Sequence, residues 1–146
     1  MRSCQLIICE RESRFAAALR RELANNAALV VETRSLAGCE AALAESPESL
    51  AVIEATAANL ASVVDFLVRL RERYPRASAA VVLNCNTIND ESLFNEAGAI
   101  AVVRSVLEAP AIARLAERKF AAASKSELSL PEFIAQRLPW PGFATR

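Results

Sequence analysis

The sequence contains no histidine and only three glycines, Gly38, Gly98 and Gly142. Without histidine, a serine or cysteine nucleophile lacks its usual base, and a zinc site would need other ligands. With so few glycines there is no Gly-rich loop to cradle a nucleotide phosphate. The four cysteines, Cys4, Cys9, Cys39 and Cys85, show no CxxC spacing. They are expected to be reduced, mostly buried thiols of a cytoplasmic protein rather than metal ligands. An excess of either charge is also missing, because 17 basic residues balance 17 acidic ones. Neutrality gives no electrostatic case for nucleic acid or an anionic membrane. No signal-peptide core occurs, and no apolar run is long enough to span a bilayer. Neither a metal nor a cofactor is expected.

What is present is a chain of 146 residues, 53% of them hydrophobic. That is enough for one domain with a substantial core. Five short apolar runs alternate with segments of helical period. "QLIIC" precedes "SRFAAALRREL", where Phe15, Ala18, Leu19 and Leu23 share a face and Ser13 is placed to cap. "ALVVET" precedes "SLAGCEAALAES", with Ser35 as cap and Leu36, Cys39 and Leu43 inward. "LAVIEAT" precedes "NLASVVDFLVRLRERYP", whose stripe of Leu60, Val63, Val64, Leu67 and Tyr74 ends at Pro75. "SAAVVLN" precedes a shorter helix through "DESLFNEA", closed by Gly98. "AIAVV" precedes "APAIARLAERKFAAA", with Ile112, Leu115, Ala116 and Phe120 on one face.

Strands that are apolar throughout belong to a parallel sheet covered on both faces. Five strand–helix units therefore predict an α/β fold, an open doubly wound sheet of the flavodoxin-like kind. A closed barrel would need about eight units and ~250 residues. This domain is assigned residues 1–123. Residues 124–146 form a tail that breaks the pattern, with a short helix start near Pro131 and three of the chain's eight aromatics.

Ligands of such sheets bind beyond the carboxyl ends of the strands. The residues there are Glu10 and Arg11 after the first run, Glu54 after the third, Asn84 after the fourth, and Arg104 and Ser105 after the fifth. If the first and third strands are neighbours, Glu10, Arg11 and Glu54 share one crevice. A carboxylate that ends a buried strand requires a partner, and Arg11 is the candidate.

The order of elements, their lengths and the stretch "EAGAIAVVRS" resemble a bacterial response-regulator receiver domain over residues 1 to about 123. The resemblance implies two-component signalling through an aspartate phosphorylated after the third strand. It also implies an acidic pair that holds magnesium, a Thr or Ser after the fourth strand, and a Lys-Pro after the fifth. Here Glu54 stands at the phosphoacceptor, Glu10 and Arg11 at the acidic pair, Asn84 (or, with a slip of one, Cys85) at the hydroxyl position, and Ser105 at the lysine. One member of the acidic pair is kept as a carboxylate, Glu10, and the other is reversed in charge at Arg11. None of the family's chemical residues is present unchanged, so a pseudo-receiver without phosphorylation is expected. Glutamate is a methylene too long for in-line transfer, and Arg11 opposes a cation. Three uses of Glu54 stay open: mimicry of a phosphorylated aspartate, pairing with Arg11, or none.

The expected function is a non-catalytic regulatory module acting through a protein partner or a homodimer. The resemblance places contacts on the face of the fourth helix, fifth strand and fifth helix, with Phe94, Arg104, Ala111 and Arg114. In the tail, Phe133, Leu138, Trp140 and Phe143 are candidates for docking in a groove or for covering their own domain. The alternative is a small-ligand binder or enzyme using the crevice around Glu10, Glu54 and Asn84. The interleaved "RLRERYPR" reads as a solvated helix face.

Overall fold

The computed structural model describes residues 4–84 and 90–126. Five strands form one sheet: β1 (Leu6–Cys9), β2 (Val30–Thr33), β3 (Leu50–Ala55), β4 (Ser78–Leu83) and β5 (Ala101–Val103). Their order is β2-β1-β3-β4-β5, with every pairing parallel. Leu6 lies between Val30 and Leu50, so β1 and β3 are neighbours as the strand-order rule requires. Between the strands run α1 (Arg14–Leu23), α2 (Leu36–Glu45), α3 (Leu60–Arg73), α4 (Asp90–Ala97) and, after β5, α5 (Ala109–Ser126).

The side chains of successive strand residues point to opposite faces, which divides the core in two. Leu6, Ile8, Leu50, Val52 and Val82 meet α1 and α5 on one face. Ile7, Ala51, Ile53, Val81 and Leu83 meet α2, α3 and α4 on the other. Burial on both faces is why the strands read as unbroken apolar runs. In β3 every residue is buried except Glu54, which is half-buried.

Several local expectations hold. The Ser35 hydroxyl accepts from the Gly38 N–H at 3.0 Å and caps α2. Gly98 has φ +115°, and the Ala99 N–H closes onto the Phe94 carbonyl at 3.0 Å, ending α4. α3 stops at Arg73 before Pro75, its stripe carried also by Phe66 and Leu70. Other details differ. Residues Ala24–Leu29 form a 3-10 segment ahead of β2, where the sequence offers only "ANNAAL" without periodicity. α5 runs to Ser126, three residues past the expected end of the receiver-like segment.

Phe94 corrects the expected contact surface. It is fully buried on the α3 side of the sheet, because α4 turns this residue inward and its neighbour Leu93 outward. Phe133, Leu138, Trp140 and Phe143 lie outside the described residues, as does Cys85.

Candidate functional site

The carboxyl ends of β1, β3, β4 and β5 open into a crevice of two connected parts. The inner part, about 210 Å³, is lined by Glu10, Arg14, Glu54, Asn84, Arg104 and Ser105, over an apolar wall that includes Phe15, Val82 and Val106. The outer part, about 540 Å³, is lined by Arg11, Glu12, Arg14, Glu54, Thr56 and Asn84. All five expected residues of the degenerate pocket therefore border one cleft. Arg14 borders both parts and was not singled out in the sequence. Its signal was its place as the first residue of the helix that follows β1.

Glu10 is only 5% exposed. Its two oxygens accept hydrogen bonds from the N–H groups of Phe15 at 3.1 Å and Ala16 at 3.0 Å. These are second- and third-position amides of α1, donors that have no partner within the helix. A carboxylate there also meets the positive end of the helix dipole. Glu10 therefore caps α1 from four residues upstream. The expected cap, Ser13, has no capping bond. Its hydroxyl donates to Glu32 Oε2 at 2.6 Å and accepts from Arg34 Nη2 at 2.8 Å. Arg34 also donates to the Glu10 carbonyl at 3.1 Å, which fixes the end of β1. The Ser13 hydroxyl and the Arg20 guanidinium hold the Glu32 carboxyl below the usual carboxylate range.

Glu54 is placed differently. The closest donor to its carboxylate is the Arg11 backbone N–H, at 3.5 Å from Oε1. The expected pairing with the Arg11 guanidinium does not form; the contact is through the main chain. The loop after β3 is held by Asn59, whose Nδ2 donates to the Glu54 carbonyl at 3.1 Å while its Oδ1 accepts from the Thr56 N–H at 2.6 Å. The Asn84 N–H continues the β3–β4 ladder onto the Ala55 carbonyl at 2.9 Å, leaving its exposed side chain toward the crevice. Ser105 caps the 3-10 turn Val106–Glu108: its hydroxyl accepts from Leu107 N–H, while Glu108 accepts from Ser105 N–H at 3.2 Å and Arg104 N–H at 2.7 Å. Arg104 Nη2 lies 3.6 Å from Glu91 Oε2 on α4.

The magnesium implied by the receiver resemblance does not fit these residues. Both oxygens of Glu10 face backbone donors, its neighbour is a cation, and no cluster of three or more acidic, cysteine or histidine side chains could hold a metal among the described residues. The described cysteines, Cys4, Cys9 and Cys39, are buried. Burial pushes the Cys39 thiol up to about 12 and raises Cys9 as well, the reverse of a reactive thiolate. No helix among the described residues is long and apolar enough to cross a membrane.

No protein-family model and no curated protein matches the sequence. Solved structures do match in three dimensions. The orphan response regulator HP1043 of Helicobacter pylori aligns over 81% of this chain and 97% of its own, with TM-score 0.63 and 18% identity. A CheY-like protein (tadZ) from Pseudomonas aeruginosa aligns over 82% and 94%, with TM-score 0.64 and 18% identity. An atypical orphan response regulator described as having a phosphorylation-independent regulatory mechanism aligns over 80% and 95%, with TM-score 0.61 and 18% identity. With the strand order and the crevice at the carboxyl ends, these alignments establish that the chain has the CheY-like, flavodoxin-like fold of response-regulator receiver domains.

Proposed function

We propose that this protein is a pseudo-receiver: a non-catalytic regulatory module that acts through protein–protein contact and is not phosphorylated at the usual position. The observation that carries this reading is Glu10. Its carboxylate, at the position of a receiver's metal-binding acid, is turned into α1 and satisfied there by two amides. A receiver's phosphoryl transfer depends on a metal to offset the charge of the incoming phosphoryl group, and these residues do not supply its site. The orphan regulator with a phosphorylation-independent mechanism offers a precedent on the same fold.

The contact surface in this reading is the side of the sheet around β5. Val68, Leu93, Ile100, Val106 and Leu107 are the exposed large apolar residues among those described. All but Val68 flank β5, an edge strand, and Leu107 is 86% exposed. Apolar side chains gathered along an open strand edge suit burial against a partner or a second copy. Arg104 and Arg114 are exposed and in this reading supply its polar rim. Phe94 has no part in it. The tail residues Phe133, Leu138, Trp140 and Phe143 belong to the same proposal as a second contact element.

The test is incubation with magnesium and a small-molecule phosphoryl donor, followed by assay for acid-labile phosphate. None is expected. Labelling that disappears in Glu54→Gln would sink the reading. For the surface, Leu107→Asp should abolish self-association or binding of an identified partner while leaving the melting temperature unchanged.

A further inference from the structure

Glu54 and Arg14 border both parts of the crevice, and Arg11 borders the outer part. Among the described residues, the guanidinium groups of Arg11 and Arg14 make no hydrogen bond or ion pair, and the Glu54 carboxylate has only the 3.5 Å contact with the Arg11 amide. Several other charges of the fold are paired: Glu32 with Arg20 and Arg34, Glu40 with Arg69 and Arg73, Glu48 with Arg76. The crevice thus keeps opposite charges apart across a recess. A guanidinium offers five donors in a planar fork suited to a carboxylate, and a carboxylate offers about four acceptor positions.

We infer that the crevice binds a small zwitterion of the α-amino-acid class, with its carboxylate on Arg14 and its ammonium on Glu54. A simple anion would meet the guanidinium groups but lie beside the Glu54 carboxylate. A simple cation would meet the reverse. A molecule that carries both charged groups on one carbon satisfies each side with charge-assisted hydrogen bonds. The inner recess of about 210 Å³ is below the ~300 Å³ at which pockets for drug-sized ligands begin, and suits a single small molecule. Its wall of Phe15, Val82, Leu83 and Val106 favours an apolar side chain on that ligand. This site goes beyond the proposed contact surface, with which it shares Arg104 and Val106 at its border.

Calorimetric titration of the purified protein with glycine, L-alanine, L-valine, L-leucine and L-glutamine, and separately with inorganic phosphate, tests the inference. At least one apolar amino acid should bind saturably. Arg14→Gln and Glu54→Gln should each weaken that binding at least tenfold, about 1.4 kcal/mol, at an unchanged melting temperature. Glu54→Gln is the decisive variant because it removes a charge without altering shape. If phosphate binds instead and Glu54→Gln tightens it, the crevice is an anion site and the inference fails. Absence of binding by all five amino acids, or binding indifferent to both variants, also overturns it.

Discussion

Glu10 and Glu54 are two glutamates at the ends of two adjacent strands, bordering one crevice, yet they serve opposite ends. Glu10 is buried with both oxygens held by the first turn of α1. Glu54 is half-buried and meets a single amide at the edge of hydrogen-bond range. Residue type and strand position are the same, so neither decides what a carboxylate does. The path of the next loop decides it: the chain after β1 brings amides back to Glu10, whereas the loop after β3 is closed by Asn59 and leaves the Glu54 side chain out. One acid is structure, and the other is available for recognition.

The largest effect that would break this contrast is on Glu10. Glu10→Ala should cost about 2–3 kcal/mol, because bonds to a charged acceptor contribute roughly 1.5–3 kcal/mol and two helix-end donors lose their partner. Urea denaturation would register it as a lower midpoint at unchanged slope. If Glu10→Ala melts like the wild type, Glu10 is no cap. A smaller effect is expected with pH in the neighbouring Glu32 cluster. The folded-state pKa of Glu32 lies below its unfolded value. Its contribution is therefore present above the ordinary carboxylate range and lost as pH falls through the depressed value. Glu32→Gln should flatten that part of the acid unfolding profile, and an unchanged profile would remove the cluster from the account. Glu54→Gln should change stability by no more than about 0.5 kcal/mol, the usual range for surface positions. A loss comparable to that of Glu10→Ala would erase the difference between the two acids. The smallest expected signal is at Cys39, whose raised pKa predicts no alkylation in the native protein at pH 8, followed by peptide mapping. Stability from this neutral thiol is present below its unfolded pKa and fades as pH rises toward about 12.

The sheet was legible because five apolar runs allow little besides a covered parallel sheet, and the strand-order rule then located the crevice. The residues named there border one cleft, but their bonding was not readable. Ser13 has the residue type and spacing of a cap, yet Glu32 and Arg34 claim its hydroxyl. Those partners come from β2 and its following loop, a register that sequence spacing does not encode. Arg11 has the charge to pair with Glu54 but offers its amide, since the loop carries the side chain into the wider recess. On α4, eight residues define a helical face too loosely to choose between Leu93 and Phe94, and packing against α3 makes the choice. Arg14 was missed because a lone arginine opening a helix looks like any solvated charge.

The placement of α5 has a consequence for how the chain comes to be folded. The last described helix lies against the first, and together they cover one face of the sheet through Leu19, Leu23, Ile112 and Phe120. The opposite face is covered by α2, α3 and α4, which lie between them in sequence. That second face can therefore be completed while the chain is still growing. The first face stays open until residues beyond 109 arrive, so α1 waits, its apolar stripe uncovered, for the far end of the chain. Assembly of the two layers is then staggered, with the closing contact one of the longest in sequence and the slowest to be found.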